Sequence, residues 1–348
     1  MNDKPESIFR SSIRAFSSAF FKGVGYLVIM IPVMMLIGGI AALKDKTPQS
    51  SFEETVLPDA GGKRPNLSAE KPKILQIDIH GLIGSDKLNT QTIEEMLLES
   101  REDKFAKGPV EAVFLHINTP GGTVFDSDGI YRALKSYKEK YNVPIYAYVD
   151  GLCASGGMYI ASAADKVYTS DVSLVGSVGV LLSTFINFND ALEKIGIQTM
   201  TISAGKGKDA LNPLRHWNEN ESENLKLLVD NFYSQFVNLV AENRPNISKE
   251  KLINDYGAKV FPAEMAKEYG YIDETGSSRE TVLTALKEQA GIADDYQVVR
   301  LSKDNWFENL FRVESPLFTG KIQHQINLGF ELPPEFNNKF LYLYQPGL

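Results

Sequence analysis

The middle of the chain alternates between strand-like and helix-like hydrophobic patterns. KILQIDIHGLI (73–83) alternates apolar and polar residues, which predicts a strand, and VEAVFLHIN (110–118) and VPIYAYV (143–149) resemble buried strands. Helical patterns lie between them, in NTQTIEEMLLESREDK (89–104) and from the TPGGTVFDSDG loop through Tyr141. Strands that alternate with helices predict βαβ units and an α/β fold.

The following region predicts a further strand and a long helix. The strand is IQTMTI (197–202), and an amphipathic helix is expected over 218–245. The apolar residues of this helix recur at helical spacing: Leu225, Leu228, Val229, Phe232, Phe236 and Val240. Beyond about residue 292 the pattern weakens, but the ending KFLYLYQPGL is too aromatic for a disordered tail. We therefore expect the tail to pack on its own domain or on a neighbouring subunit.

The N-terminal region contains an uncharged apolar stretch, GVGYLVIMIPVMMLIGGIAAL (23–43). Its length suffices for a transmembrane helix, whereas the apolar core of a cleavable signal peptide has only about 7–15 residues. Four basic residues precede the stretch and two follow it closely, which favours a cytoplasmic N-terminus. The rest of the chain would then lie outside the cytoplasm, anchored to the inner membrane by a single span.

These patterns divide the chain into five parts. Residues 1–22 form a cytoplasmic segment and 23–43 the transmembrane helix. Residues 44–72 are rich in Pro, Ser, Gly and charge, which is typical of a linker. Residues 73–291 form the folded domain, and 292–348 are a C-terminal extension of unknown role.

Composition narrows the function classes. The chain has 348 residues, of which 43% are hydrophobic, enough for a sizeable core. Its formal net charge of −8 argues against a nucleic-acid partner, because such proteins carry a basic face. Its single cysteine rules out an internal disulfide and a cysteine-rich zinc module.

Two glycine loops each follow a predicted strand: Pro120-Gly121-Gly122 and Ser155-Gly156-Gly157. Ligands of open α/β sheets bind at the carboxyl ends of strands, and glycine lets backbone N–H groups approach an oxyanion closely. Taken singly, each loop is more typical of a simple turn. A hydrolase that attacks a carbonyl needs such donors, so both interpretations stay open at this point.

The nucleophile and the base have several candidates. Cys153 and Ser155 are both near the end of a predicted strand, and Ser155 is favoured because it directly precedes a helix-like segment. As bases, the four histidines are each more typical of structural positions: His80, His116, His216 and His324. A lysine becomes a base when burial lowers its pKa, and SAGKGKDALNP (203–213) offers Lys206 and Lys208.

Four motifs in order resemble the signal peptide peptidase A type of membrane-bound serine peptidase, in its short single-domain form. They are LHINTPGGTVFDSDGI, CASGGMYIASAADKVYTSDVSLVGSVGV, ISAGKGKDALNP and GAKVFPAEMAKEYGYIDETGS, and the resemblance covers roughly residues 73 to 290. It implies the Clp protease/crotonase-like α/β fold of repeated β-β-α units. The sequence differs from the common pattern at Thr119, where serine is usual, and at Met158, where an aromatic residue is frequent.

The resemblance also implies roles for particular residues. Ser155 would be the nucleophile and Lys208 the general base, with Lys206 close enough to keep that choice open. Gly156 and Gly122 would donate to the oxyanion, and Ser177 would orient the lysine. The serine and lysine of one site would come from neighbouring subunits of a homo-oligomer, and no cofactor or metal is implied.

The function expected from the sequence is therefore that of a membrane-anchored serine endopeptidase with a Ser/Lys dyad. Its substrates would be cleaved signal peptides or other unfolded membrane-proximal peptides. Two alternatives keep part of this picture. One is a catalytically silent oligomeric membrane scaffold, and the other is a crotonase-like acyl-CoA enzyme whose glycine loops polarise a thioester carbonyl.

Overall fold

The computed structural model describes residues 8–44, 52–102, 105, 107–303 and 339–344. Within the first range it describes the side chains of residues 16–36. The chain divides into two compact units, Met1–Ser51 and Phe52–Leu348. The described residues of the first unit form one helix, and those of the second form the sheet and the remaining helices.

Helix α1, Ile8–Lys44, forms the first unit. Its segment Phe16–Leu36 is long and apolar enough to cross a membrane, judged by length and composition. The described side chains of this segment are predominantly exposed. The predicted span 23–43 lies within α1, but the side chains of 37–43 lie outside the described residues, as do residues 1–7 of the predicted cytoplasmic segment.

The second unit is built around a ten-stranded sheet. Its strands are β1 Phe52–Leu57, β2 Lys73–Ile83, β3 Val110–Thr123, β4 Ile145–Ala154, β5 Lys166–Thr169, β6 Leu174–Gly176, β7 Leu181–Leu182, β8 Val260–Pro262, β9 Gln297–Lys303 and β10 Phe340–Leu343. Its helices are α2 Thr90–Glu99, α3 Val124–Tyr141, α4 Gly156–Ala161, α5 Asn189–Lys194, α6 Glu223–Asn243, α7 Lys249–Lys251, α8 Ala263–Glu268 and α9 Arg279–Ala290, with a π-helical turn at Leu252–Tyr256.

The main path of the sheet runs β1-β9-β2-β3-β4-β6-β8. The central pairs, from β9 to β6, are parallel, whereas β1 and β8 pair antiparallel at the two edges. Two strands lie off this path: β5 pairs with β4, and β10 pairs antiparallel with both β3 and β7. The carboxyl ends of β3 and β4, which carry the two glycine loops, therefore meet at one edge of the sheet.

The core has two layers because successive side chains of a strand point to opposite faces. On β2, Leu75, Ile77 and Ile79 face the larger cluster, which includes buried residues of α2, α3, α4 and α6. Ile74 faces the smaller cluster, which is covered by α9. Each fully buried Leu or Ile side chain contributes about 1.5–3 kcal/mol, so these strands are firmly held.

The elements predicted for residues 73–149 are present. The strand at 73–83, the helix within 89–104, the two buried strands and the helix ending at Tyr141 correspond to β2, α2, β3, β4 and α3. The helix predicted for 218–245 is α6, which begins five residues later, at Glu223.

Three segments differ from the sequence predictions. Phe52–Leu57, inside the predicted linker, form β1 because Phe52 and Val56 are buried against the sheet and the strand pairs with β9. Residues 197–202 form no strand in the described part of the chain, since Ile197, Met200 and Ile202 are exposed and no neighbouring strand supplies backbone partners. Within the predicted extension, β9 and β10 both join the sheet, whereas residues 304–338 and 345–348 lie outside the described residues.

Candidate active site

Ser155 occupies the sharp turn between β4 and α4. Its backbone has φ 55° and ψ −113°, a combination that a non-glycine residue rarely adopts. Two backbone hydrogen bonds hold it there: Ser155 N donates to Gly176 O at 2.9 Å, and Tyr159 N donates to Ser155 O at 3.0 Å. The residue is 1% exposed, and its Oγ has no hydrogen-bond partner among the described residues. An unpartnered buried hydroxyl is costly in a structural role, which marks it as a candidate functional group.

The first glycine loop lies against the turn that holds Ser155. Gly121 has φ 103°, and its N–H donates to Thr119 Oγ1 at 3.0 Å. A methyl group added at Gly121 would lie 2.8 Å from Gly156 N, so the two glycine loops meet around one point. Only glycine fits here, because the conformation and the close approach both exclude a Cβ.

Thr119 fixes the shape of this first loop. Besides accepting from Gly121 N, its Oγ1 donates to Gly81 O at 2.5 Å, which ties the end of β3 to the end of β2. Thr123, on the other side of the loop, caps α3 by accepting from Asp126 N at 3.1 Å. The loop is thus held at both ends, a role for Thr119 and Thr123 that the sequence did not predict.

Strand β10 lies beside the two loops, in the space between the end of β3 and β7, which we call the groove. It pairs antiparallel with the end of β3, with Tyr342 opposite Gly122, and with the short strand β7 on its other side. Tyr344 N donates to Pro120 O at 2.7 Å. Because hydrogen-bonded pairs alternate with non-hydrogen-bonded pairs along an antiparallel ladder, Tyr342 and Gly122, two residues along, also form a hydrogen-bonded pair. A methyl group added at Gly121 would lie 2.0 Å from Tyr342 O, which places this carbonyl next to Gly156 N.

The Tyr342 side chain fills an aromatic pocket below the groove. Its ring centroid lies 5.1 Å from that of Tyr159 and 4.5 Å from that of Phe236, and its hydroxyl donates to Phe232 O at 3.0 Å. The side chain is 1% exposed, and burial raises the pKa of the Tyr342 hydroxyl above its usual range. The alternation of aromatic and aliphatic residues in the tail sequence FLYL was the available signal for this strand.

Cys153 lies two residues before Ser155 and is completely buried in the core. Burial raises the pKa of its thiol to about 12, because the interior disfavours the thiolate. A thiolate is the reactive form of cysteine, so this environment is that of a packing residue. The geometry therefore favours Ser155 over Cys153.

Ser177 is brought close to Ser155. It follows Gly176, the residue whose carbonyl accepts from Ser155 N, and β6 pairs Gly176 with Ala154. Ser177 is 3% exposed and has φ 56°, with its N–H donating to Lys259 O at 2.7 Å. Ser177 is thus a second buried serine close to the two glycine loops.

Lys208, unlike Ser155 and Ser177, is exposed in its own chain. It lies on the irregular segment after α5, its side chain is exposed, and its amine has no hydrogen-bond or ion-pair partner among the described residues. Lys206 is exposed as well. A lysine becomes a base when it is buried. The described residues of the same chain bury neither of these two lysines.

A local ion-pair network braces the segment that carries Lys208. Arg215 pairs with Asp209 at 2.9 Å and with Glu221 at 2.6 Å, and it holds the pKa of Glu221 at about 2. The same segment exposes large apolar side chains, among them Ile195, Met200 and Ile202, with 69%, 86% and 91% of their surface accessible. Residues 183–222, which we call the arm, thus have defined local structure but little burial.

Comparison with known proteins places this geometry in a family. The model of peptidase family S49 matches residues 137–293, and that of the Clp protease family matches residues 75–175. A Synechocystis protein provisionally assigned as a protease is 33% identical over 216 residues, covering 62% of this chain and 74% of its own length. The chain belongs to peptidase family S49.

Two further relatives of this S49 peptidase carry more specific names. An Enterococcus faecium protein provisionally assigned as signal peptide peptidase SppA is 30% identical over 235 residues, covering 65% of this chain and 66% of that protein. The chloroplastic serine protease SPPA of Arabidopsis thaliana is 29% identical over 216 residues, covering 61% of this chain and 31% of that protein. The chain thus spans just under two thirds of the Enterococcus relative.

The comparisons confirm the family and the Clp protease-like fold that the sequence motifs predicted. The S49 match includes Ser155, Ser177 and Lys208, and the Clp protease match includes both glycine loops. Family S49, to which the chain belongs, is a family of peptidases.

Proposed function

We propose that this S49 peptidase is a serine endopeptidase in which Ser155 is the nucleophile and Lys208 the general base. The observation that carries the proposal is the position of β10. An extended peptide strand lies in the groove, and its Tyr342 carbonyl approaches the point where Gly121 and Gly156 meet. A substrate bound in the same way would present its scissile carbonyl to the backbone donors beside Ser155.

The chemistry follows from the groups at this point. A neutral Lys208 amine takes the proton from Ser155 Oγ as the oxygen attacks the carbonyl carbon. The N–H groups of Gly156 and Gly122 stabilise the resulting oxyanion. Lys208 then gives its proton to the departing amine, and a water molecule activated by the same lysine hydrolyses the acyl-enzyme ester.

The proposed base comes from a neighbouring subunit. Lys208 is exposed in its own chain and lies on an arm with exposed apolar residues, which a second copy would cover. Docking of the arm beside Ser155 and Ser177 would desolvate the amine and allow Ser177 to orient it. A homo-oligomer with sites shared between neighbours would then be the active form.

The proposed substrates are cleaved signal peptides and other unfolded membrane-proximal peptides. Helix α1 contains a segment able to cross a membrane, and the Enterococcus relative is assigned as a signal peptide peptidase. An extended backbone in the groove requires an unfolded substrate, because strand addition consumes main-chain hydrogen bonds. We place the protein in the inner membrane, with the peptidase domain on the outer side.

Turnover of an unfolded polypeptide by the full-length protein in detergent tests the catalytic assignment. Ser155→Ala and Lys208→Ala are each expected to abolish cleavage products in mass spectrometry, because each removes a reacting group. Cys153→Ala and Lys206→Ala are the matched controls and should retain turnover. Iodoacetamide should likewise leave the native enzyme active at pH 8, since a thiol with a pKa of about 12 stays protonated there.

Activity of Ser155→Ala would contradict the nucleophile. Loss of activity in Lys206→Ala with retention in Lys208→Ala would reverse the choice of base.

A further inference from the structure

A cluster of two histidines and two carboxylates lies on the face of the sheet opposite α4. Asp78 and His80 alternate along β2 with Ile77 and Ile79, which face the larger core cluster, so they point to the other side. His116 is directly opposite Asp78 in the β2–β3 register. The cluster is therefore built on paired central strands, which hold side chains more precisely than loops do.

The spacing of these side chains suits a shared ligand. Asp78, His80 and His116 each offer one ligand atom, and these atoms lie within 4.8 Å of one another. His116 Nδ1 lies 3.7 Å from Asp78 Oδ1, which is too long for a hydrogen bond. Two ligands at ordinary Zn–N and Zn–O distances on a tetrahedral ion are roughly 3.4 Å apart.

Asp150, on β4, orients the His116 ring. Its Oδ2 lies 2.7 Å from His116 Nε2, so this nitrogen donates to the carboxylate. In the neutral ring Nδ1 then carries the lone pair, and it faces Asp78. A carboxylate that holds the remote nitrogen of a histidine is the usual outer partner of a metal-ligating imidazole.

The Asp78 carboxylate is also held in place. Gln76 Nε2 donates to its Oδ1 at 2.7 Å, and Arg300 pairs with its Oδ2 at 3.2 Å. Arg300 offsets one of the two carboxylate charges, so the cluster is net negative when both imidazoles are neutral, which is the form in which histidine binds a metal ion. The His116 and Asp78 side chains are 16% and 22% exposed, whereas His80 is exposed and leaves the site accessible to solvent.

We propose that Asp78, His80 and His116 bind one divalent transition-metal ion of the zinc class, with solvent as a further ligand. Two imidazole nitrogens and one carboxylate oxygen suit Zn²⁺, Co²⁺ or Ni²⁺ better than Mg²⁺ or Ca²⁺, which prefer oxygen ligands alone. The ion would join β2 to β3 just before Thr119, the residue that shapes the first glycine loop. The proposal does not depend on the peptidase mechanism.

Cobalt titration of the metal-free full-length protein in detergent tests the site. One Co²⁺ per chain should bind with the intense visible absorption of a low-coordinate nitrogen and oxygen site. His80→Gln and His116→Gln should abolish this band, and Asp150→Asn should weaken Co²⁺ affinity about 10–100-fold because it removes the outer partner.

His216→Gln is the matched control. His216 also lies between two carboxylates, at 3.5 Å from Asp190 and 3.5 Å from Glu193, but its side chain is 71% exposed. The His216 variant should bind Co²⁺ as the wild type does. Because His80 is exposed, metal-free His80→Gln should unfold at the wild-type temperature, which separates loss of a ligand from loss of the fold.

The proposal is overturned if the wild type gives no saturable Co²⁺ absorption. An unchanged band in His80→Gln, or loss of the band in His216→Gln, would overturn it as well.

Discussion

At the scale of single residues, the backbone around the groove is held in unfavourable conformations. Ser155 and Ser177 have φ values of 55° and 56°, and such conformations cost about 1–3 kcal/mol each. Surrounding hydrogen bonds keep them in place, including those from Ser155 N to Gly176 O and from Ser177 N to Lys259 O. Strain of this kind persists where it positions reacting groups, as it does beside the unpartnered Ser155 hydroxyl.

Gly121→Ala is expected to reduce kcat/KM by about 100-fold or more, because its methyl group would push the substrate carbonyl away from the proposed donors Gly156 and Gly122, and loss of one oxyanion contact costs about that much. The added methyl would lie 2.0 Å from the position of Tyr342 O, where a substrate carbonyl is proposed to bind. Gly62→Ala is the matched control, since Gly62 also has a positive φ, 75°, but no atom lies within 4 Å of its added methyl. Steady-state kinetics and thermal unfolding of both variants separate a block of the carbonyl site from the backbone strain of an alanine at positive φ. Equal activity in the two variants would contradict the role of the loop.

At the scale of elements, the C-terminal tail supplies the strand β10, which occupies the groove. The strand pairs with β3 and β7, and Tyr342 packs between the rings of Tyr159 and Phe236. An added substrate strand would use the same edge of β3. A segment of the same chain competes at an effective concentration on the order of millimolar, so β10 is expected to act as a resident competitor.

Deletion of residues 340–348 is therefore expected to lower KM for an added unfolded peptide and to leave the single-turnover rate at saturation unchanged. The physical reason is that the groove no longer has to release its own strand before it binds substrate. Tyr342→Ala tests the same contact with a smaller change and should shift KM in the same direction. A deletion variant with unchanged KM would show that β10 does not compete with substrate.

At the scale of the whole molecule, a single chain contains only part of the proposed site. Ser155, Ser177 and both glycine loops come together, while Lys208 remains exposed on the arm. The arm has internal order through Arg215, Asp209 and Glu221, yet it leaves Ile197, Met200 and Ile202 open. A defined segment with an uncovered apolar surface is typical of a subunit interface.

Mixing two inactive variants tests the shared site. Chains with Ser155→Ala and chains with Lys208→Ala should each be inactive alone, but oligomers assembled from both should recover part of the wild-type turnover. Recovery is expected because a site made from the intact Ser155 of one chain and the intact Lys208 of its neighbour is complete. Co-assembly of Ser155→Ala with itself is the control. Absence of recovery in demonstrated mixed oligomers would require both groups to come from one chain.

Several features were predictable from the sequence because they depend on short-range pattern. The alternation of Ile74, Gln76 and Asp78 with apolar neighbours marked β2, and the apolar spacing of α6 marked that helix. The order of glycine loop, Ser155 and Lys208 indicated the peptidase family before any contact was known. The strand prediction at 197–202 was wrong because alternation supplies no partner strand. Strand β1 was missed because the residues of β9 with which it pairs are 241 to 251 positions away in sequence.

By itself, the sequence determined the fold class, the family and the candidate nucleophile, because these are encoded in local periodicity and in ordered motifs. The burial of Cys153 with a raised pKa, the hydrogen bonds by which Thr119 shapes the first glycine loop, and the pairing of β10 with β3 appear only in the folded chain. Each of these depends on residues far apart in the chain, so their burial and contacts exist only once the strands have paired and the helices have packed on them.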